Sequence, residues 1–268
     1  MAPDLSTLRA GFAQTWSDVA AVCADLTPEQ WKTPTELAGW SVQDNVSHIV
    51  GEESFLLGDA TPVHEVPDLP HLRSDFARAI ELPIDYRRSH PGDEVLRELQ
   101  EVAARRLAVL DSYTDASLEE ELPFAGRTMP LRNVLGIRLF DCWTHSQDIR
   151  HALGRPGGFE NPAADLSRRR LLRALSRLAD DVPSAAGRTV VFETTHELPS
   201  VSTLRLGTEP SYAEGDDPAA DVRIRTSFDV FRRLATGRVH YDDVSEQVTL
   251  EGDTALGTEL ARTLAVTP

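Results

Sequence analysis

A polar stripe in the segment from Pro130 to Gly154 carries residue types that can bind a metal. Asp141, His145 and Asp148 recur there at intervals of four and three residues, and residues at these intervals share one face of an α-helix. Aspartate and histidine are both ligands of divalent metals. A catalytic zinc site typically takes three protein ligands and keeps one position open, so this helix alone does not complete a site.

The stripe has a second interpretation. Arg138 lies one turn before Asp141, so the pairs Arg138–Asp141 and His145–Asp148 would also suit an exposed, solvated helix face. Acid–histidine pairs at this spacing are common by chance, and exposed ion pairs contribute little to stability. The helix by itself therefore leaves metal binding and surface ion pairing both open.

Four long amphipathic helices are predicted in the first half of the chain. Apolar residues recur there at intervals of three and four, at about residues 5–26, 41–58, 91–113 and 130–154. Ser41 followed by Asp44 is a capping-box variant that predicts the start of the second helix. That helix places His48 and Glu52 on one face. Four such helices predict a four-helix bundle, in which facing helices build metal sites.

Residues 59–90 separate the second helix from the third and are rich in proline. A connection of this length within a domain is usually functional or mobile. The pattern predicts one short helix in it, at about residues 72–80. We expect the three histidines of this segment at the surface, namely His64, His71 and His90.

The second half of the chain has a different pattern, with predicted strands as well as helices. The sequence GRPGGFENP at 154–162 indicates a boundary, so we expect domains at 1–154 and 163–268 joined by a linker at 155–162. Helices are predicted at about 163–181, 228–236 and 253–265, and strands at 188–194, 201–206, 221–226 and 248–251. Arg223 and Arg225 alternate with apolar residues, so both point to one strand face, where they either clamp a carboxylate or meet solvent.

Composition excludes several classes of protein. A net charge of -16 argues against nucleic acids and anionic membranes as partners, because both require a basic surface. No apolar run approaches a membrane span and no secretory signal is visible, so the cytoplasm is the expected location. Cys23 and Cys142 lie at apolar helical positions and are expected to be buried, unreactive thiols. No nucleotide-binding glycine motif is present.

Two segments resemble the maleylpyruvate isomerase family of mycothiol-dependent enzymes: WKTPTELAGWSVQDNVSHIVGEE and HSQDIRHALGRPG. A third, DDPAADVRIRTSFDVFRRLATGR followed by VTLEGD, is similar to that family's C-terminal domain. The resemblance implies a DinB-like four-helix bundle with a divalent metal, typically Zn²⁺, followed by a smaller SCP2-like α+β domain. It implies His48, Asp141 and His145 as ligands. The family has glutamate in place of Asp141, so the helices must pack closer or Glu52 must complete the site.

The resemblance also implies a function. A metal holds a small thiol, mycothiol or a similar one, as the nucleophilic thiolate, which attacks an electrophilic small molecule in an isomerase or a transferase reaction. Asp148 and Arg138 are the predicted catalytic residues: Asp148 would accept a hydrogen bond from a ligand imidazole, and Arg138 would pair with Asp141 or face a substrate carboxylate. Arg223 and Arg225 are the predicted cofactor-binding residues, which would bind an anionic group of the cofactor or substrate. Two other functions stay open: a small-molecule or lipid-binding protein with a structural metal, and a hydrolase that uses zinc-bound water.

Overall fold

Helices make up the first part of the chain. The computed structural model describes residues 3–124, 126–207 and 209–267. Up to residue 152 the helices are α1 (Leu5–Cys23), α2 (Pro28–Trp31), α3 (Val42–Leu56), α4 (Asp75–Arg87), α5 (Gly92–Ser112) and α6 (Leu131–Ala152). α1, α3, α5 and α6 are the four long helices that the apolar spacing predicts, and each differs from its predicted range only at the ends.

These four helices form the bundle. α1 packs against α5 and α6, and α3 packs against the same two helices. Each contributes fully buried apolar side chains to the core, among them Phe12, Ile49, Leu99, Leu135 and Trp143. Burying one such aliphatic or phenyl side chain stabilises the fold by about 1.5–3 kcal/mol. The apolar faces that the sequence periodicity identifies therefore hold the four helices together.

The start of α3 is set by a capping box, as predicted. The Ser41 backbone N–H donates to Asp44 Oδ2 over 2.7 Å, and the Asp44 backbone N–H donates to Ser41 Oγ over 3.3 Å. Two backbone donors at the helix end are thereby satisfied without water. Because α3 begins at Val42, His48 lies in its second turn and faces α6.

α4 corrects the prediction for residues 59–90, since it runs from Asp75 to Arg87 rather than from about 72 to 80. It continues through Pro83, which sequence rules treat as a helix breaker. α4 packs against α3, and a Cβ added at Gly51 would lie 2.6 Å from the Pro83 Cβ. Glycine at this position therefore permits the close approach of the two helices.

The three histidines of this segment are partly exposed and lie near carboxylates that the sequence pattern did not identify. Each is half-buried, with 20–29% of its side chain exposed, and each lies near a carboxylate. The nitrogen–oxygen distances are 2.6 Å for His64–Asp85, 3.3 Å for His71–Glu81 and 3.8 Å for His90–Glu98. All three side chains thus keep part of their surface exposed, as predicted, and each is also held near a carboxylate.

A short hairpin that was not predicted leads into α6. Strand β1 (Glu121–Phe124) pairs antiparallel with β2 (Arg127–Pro130), with Glu121 opposite Pro130 and Phe124 opposite Arg127. Strands of four residues with a proline in each are too short to show a clear alternation of apolar and polar residues. The hairpin ends directly at Leu131, which begins α6 close to the predicted start.

The remaining elements form an α+β arrangement. They are α7 (Pro162–Leu175), β3 (Thr189–Thr195), β4 (Ser200–Arg205), β5 (Ser211–Glu214), β6 (Val222–Ser227), α8 (Phe228–Ala235), α9 (Tyr241–Val244), β7 (Thr249–Gly252) and α10 (Thr254–Arg262). β3 to β7 form one sheet in the order β5-β4-β3-β6-β7, in which only β3 and β6 run parallel. α8 packs against β3 and β6, and α10 against β6 and β7. β5 and α9 were not predicted.

Contacts between Cα atoms divide the chain into two units, residues 1–166 and 167–268. The division falls within α7, whereas the sequence places a linker at 155–162 between domains 1–154 and 163–268. Those domain limits stay a prediction. Within the described ranges 3–124, 126–207 and 209–267, no helix combines the length and hydrophobicity that crossing a bilayer requires.

Candidate metal centre

His48, Asp141 and His145, here called the ligand cluster, meet where α3 faces α6. His48 Nε2 lies 3.0 Å from Asp141 Oδ2, and His145 Nε2 lies 3.5 Å from Asp141 Oδ1. One potential ligand atom from each residue lies within 4.8 Å of the other two. The structure thus brings together, from two helices, the three residues that the resemblance implies as ligands.

The two imidazoles are buried, and the carboxylate is partly exposed. Only 5% of His48 and 6% of His145 is exposed, whereas 29% of the Asp141 side chain is accessible. The cluster is therefore enclosed on the side of the imidazoles and accessible at the carboxylate. The interpretation of the α6 stripe as an exposed face is wrong, because Arg138 and Asp148 are also buried.

The Nδ1 atom of His145 is directed by two acceptors. It lies 2.8 Å from Asn45 Oδ1 and 3.3 Å from Asp148 Oδ2. Both oxygens accept, so the arrangement favours a proton on Nδ1 and leaves the Nε2 lone pair facing Asp141. A second hydrogen bond of this kind is what orients metal-binding histidines in proteins. Asp148 is thus close enough to accept a hydrogen bond from the His145 imidazole, and its role in catalysis stays a prediction. Asn45, three residues before His48, adds an acceptor to which the sequence assigned no role.

Trp40 covers both imidazoles. Its ring centroid lies 5.2 Å from that of His48 and 5.5 Å from that of His145. Its Nε1 donates to Glu81 Oε2 over 3.1 Å, which holds the indole in place. Sequence reasoning did not select Trp40 for the site, although Trp40 lies within the first segment that carries the family resemblance.

Arg138 contacts the carboxylate of the cluster. Its Nη1 donates to Asp141 Oδ2 over 2.9 Å, and Nη1 lies 3.7 Å from Glu52 Oε2. Its Nε donates to Glu53 Oε1 over 3.1 Å. Glu52 is not part of the ligand cluster, so Asp141 supplies the carboxylate there.

The charges of the cluster follow from its burial and its neighbours. Burial raises the pKa of Asp141, but Arg138 and the two imidazoles outweigh burial and hold that pKa well below its ordinary value. Burial opposes the charge of Arg138, but Asp141 and Glu53 hold its pKa well above the ordinary value. Asp141 is thus an anion and Arg138 a cation.

The two histidines differ in their affinity for a proton. Burial lowers the pKa of His48 by more than Asp141 raises it. Burial also lowers the pKa of His145, but the carboxylates of Asp141 and Asp148 outweigh burial and raise that pKa above its ordinary value. Two imidazole nitrogens and one ionised carboxylate are a donor set that suits a divalent metal such as zinc. The residues present therefore fit the metal that the resemblance implies.

Arg223 and Arg225 lie on β6 in the second unit. Val222 and Ile224, which alternate with the arginines along the strand, are buried, so both arginines lie on the other face. Arg223 pairs with Glu193 over 3.4 Å and with Asp216 over 2.5 Å. Arg225 pairs with Glu193 over 3.2 Å and is 52% exposed. Carboxylates of the chain itself therefore occupy both arginines, and their role in cofactor binding stays a prediction.

Both cysteines are buried, as predicted. Burial raises the pKa of Cys23 to about 12 and raises that of Cys142 well above its ordinary value. Thiols in this state are protonated and poorly nucleophilic. Neither cysteine is among the members of the ligand cluster.

The pattern of the mycothiol maleylpyruvate isomerase N-terminal domain matches residues 12–150, just over half of the chain. The chain belongs to this family. A solved structure of the mycothiol-dependent maleylpyruvate isomerase is similar to it with a TM-score of 0.60, at 18% identity and over 93% of each chain. A histidine-to-alanine mutant of such an isomerase has a TM-score of 0.56 at the same identity and coverage.

The match to the isomerase structures confirms the predicted fold class, a helical bundle followed by a smaller α+β domain. A sterol carrier protein 2 from Yarrowia lipolytica matches 38% of this chain and 91% of its own, at 15% identity and with a TM-score of 0.29. Comparison with curated proteins gave no match.

Proposed function

We propose that this protein is a divalent-metal enzyme that uses a low-molecular-weight thiol, mycothiol or a close analogue, to attack an electrophilic small molecule. The observation that carries the proposal is the ligand cluster: two buried imidazoles and a partly exposed carboxylate on facing helices of a bundle of this family. Zinc is the proposed metal, because this donor set is typical of its catalytic sites. The reduced thiol that the reaction needs is consistent with the predicted cytoplasmic location.

The chain's own residues prepare the site for this chemistry. A divalent metal held there would lower the pKa of a coordinated thiol, so that the thiol binds as the nucleophilic thiolate. Asn45 and Asp148 orient His145, and Trp40 shields both imidazoles from water on one side. A zinc ion held by these three residues would keep a fourth position for an exogenous sulfur.

Two arginine roles belong to the proposal as well. Arg138 holds Asp141 ionised and oriented, which favours this role over contact with a substrate carboxylate. Arg223 and Arg225 would bind an anionic group of the thiol or substrate only by exchanging their present carboxylate partners for it. Variants of Arg225, which is the more exposed of the two, test that exchange.

Thiol-dependent turnover is the expected result of incubating the protein with zinc, mycothiol and an electrophile. Monochlorobimane reports S-conjugation and maleylpyruvate reports isomerisation, so the two products separate a transferase from an isomerase. The metal-stripped protein and a reaction without thiol are the controls. Turnover without thiol would support the hydrolase alternative, and no turnover above the stripped control would support the binding protein and contradict the proposal.

Metal affinity is expected to fall as the pH falls, and to do so in two stages. A proton on Nε2 of either histidine excludes a metal from that nitrogen, so binding releases the proton. His145, whose pKa is raised, protonates first, and His48, whose pKa is lowered, protonates at lower pH. Below the first pKa the Kd for zinc should rise about tenfold per pH unit, and below the second about a hundredfold.

Competition with a chromophoric chelator from about pH 8 to about pH 5 measures this dependence. The first stage is expected to begin above the ordinary histidine pKa of 6.5. A Kd that does not change over this range would show that zinc binds without these imidazoles.

A further inference from the structure

Glu53 connects the ligand cluster to a second arginine that sequence reasoning did not select. The Glu53 carboxylate is fully buried, and both of its oxygens have arginine partners. Oε2 accepts from Arg106 Nε of α5 over 2.7 Å, and Oε1 accepts from Arg138 Nε of α6 over 3.1 Å. Arg138 Nη2 also lies 3.0 Å from Oε1. Glu53, Arg106, Arg138 and Asp141 form a continuous array, here called the buried charge network.

Stability alone does not account for this network. Glu53, Arg106 and Arg138 have 0%, 3% and 3% of their surface exposed. Desolvation offsets most of the attraction between buried charges, and apolar residues of similar volume often stabilise such positions equally well. α3, α5 and α6 already pack through apolar side chains. The network therefore points to a task besides joining the helices.

Arg138 is the residue through which the network reaches the ligand cluster. Two nitrogens of Arg138 face one oxygen of Glu53, which fixes the plane of the guanidinium group. The direction of the remaining nitrogen, Nη1, is then fixed as well, and it reaches Asp141 at Oδ2 only. Asp141 Oδ2 also faces His48 Nε2, and Oδ1, which Arg138 does not contact, faces His145 Nε2.

An arginine that is not held in this way binds a carboxylate through a different geometry. Guanidinium groups prefer to bind a carboxylate through two parallel N–H bonds to both of its oxygens. Arg138 in that arrangement would occupy both oxygens of Asp141 and compete with a metal for them. Arg106 matters because it engages the second oxygen of Glu53, which otherwise could draw Arg138 away from Asp141.

We propose that Glu53 and Arg106 are positioning residues for the metal centre, which hold Arg138 so that it orients Asp141 through one oxygen without displacing the metal. The inference rests on the proposed function, since it requires that the ligand cluster binds a divalent metal. Neither residue touches the cluster directly. Both act through Arg138.

The test measures zinc affinity in Glu53→Gln by chelator competition, with far-UV circular dichroism to confirm the fold. Loss of such outer-shell partners typically weakens metal binding by about 10–100-fold, and we expect a loss in this range. The Co²⁺ d–d absorption spectrum should change as well, because the coordination of Asp141 changes.

A second variant keeps the test decisive if Glu53→Gln does not fold. Glu53→Leu combined with Arg106→Met removes one negative and one positive charge together, and such replacements are often neutral for stability. We expect the same loss of zinc affinity from it. Asp44→Asn is the matched control, since Asp44 is also a buried carboxylate of α3 paired with an arginine, Arg88. It should lower the melting temperature but leave the Kd and the Co²⁺ spectrum unchanged.

The outcomes distinguish a failure of the proposed function from a failure of the positioning role. Wild-type protein that binds no divalent metal overturns the proposed function and this inference with it. Wild-type protein that binds zinc, with the same Kd and Co²⁺ spectrum in the double variant, overturns the inference alone and leaves the network a purely structural role.

Discussion

Replacing His48 with alanine is expected to abolish metal binding. The substitution leaves only Asp141 and His145, and two protein ligands do not hold zinc in a catalytic site. The loss of affinity should exceed the roughly hundredfold effect of losing an outer-shell partner. Elemental analysis of the purified protein should show about one metal per wild-type chain and only a trace in the variant.

His151→Ala is the matched control for this experiment. His151 lies on α6, as His145 does, but its side chain is 41% exposed and faces Glu36 at 3.6 Å. It should retain full metal content and thiol-dependent turnover. Equal metal content in His48→Ala and wild type would remove the ligand cluster, and the proposed function would lose its foundation.

Replacing Trp143 with alanine is expected to lower the free energy of unfolding by about 3–5 kcal/mol. Trp143 is the largest fully buried side chain, with 1% exposed. Its ring lies edge-on to that of Phe159, with 6.2 Å between the ring centroids, and its Nε1 donates to the Gly158 carbonyl over 3.1 Å. Truncation would leave a cavity in the bundle and take away the donor to that carbonyl.

Urea unfolding followed by circular dichroism measures this change. Trp143→Phe is the companion variant, because it keeps an aromatic ring and loses the hydrogen bond, which is worth about 0.5–1.5 kcal/mol. The alanine variant should therefore be clearly less stable than the phenylalanine variant. A decrease of less than about 1 kcal/mol in the free energy of unfolding of Trp143→Ala would mean that the core has repacked around the smaller residue.

Much of the first unit follows from local patterns. The spacing of apolar residues predicts α1, α3, α5 and α6, and Ser41 with Asp44 predicts the start of α3. Helical phase also predicts that Asp141 and His145 share a face of α6. These features depend on residues within two helical turns of one another, so they can be predicted from the local sequence.

Other elements depend on neighbours that are remote in sequence. α4 continues through Pro83, which packs against Gly51 of α3, and local rules cannot anticipate that contact. The β1–β2 hairpin is held by pairing between two short strands whose sequence shows little alternation. In both cases tertiary packing overrides or replaces the local signal.

Glu53 shows the same limit within the site. In the sequence it stands beside Glu52 and resembles an ordinary surface acid, yet Glu53 is fully buried. Its arginine partners are 53 and 85 residues away. Trp40 and Asn45 likewise gain their contacts with the His145 imidazole only when α3 meets α6.

The sequence by itself determined the helices of the bundle, the α+β character of the second half, and the three residues that the family resemblance marks as ligands. Only the tertiary structure decided that these residues converge, that the stripe on α6 is buried, and that a buried charge network lies behind Asp141. The physical reason is that periodicity specifies which face of a helix a residue occupies. Which faces meet, and which charges are then removed from water, depends on the packing of the whole bundle.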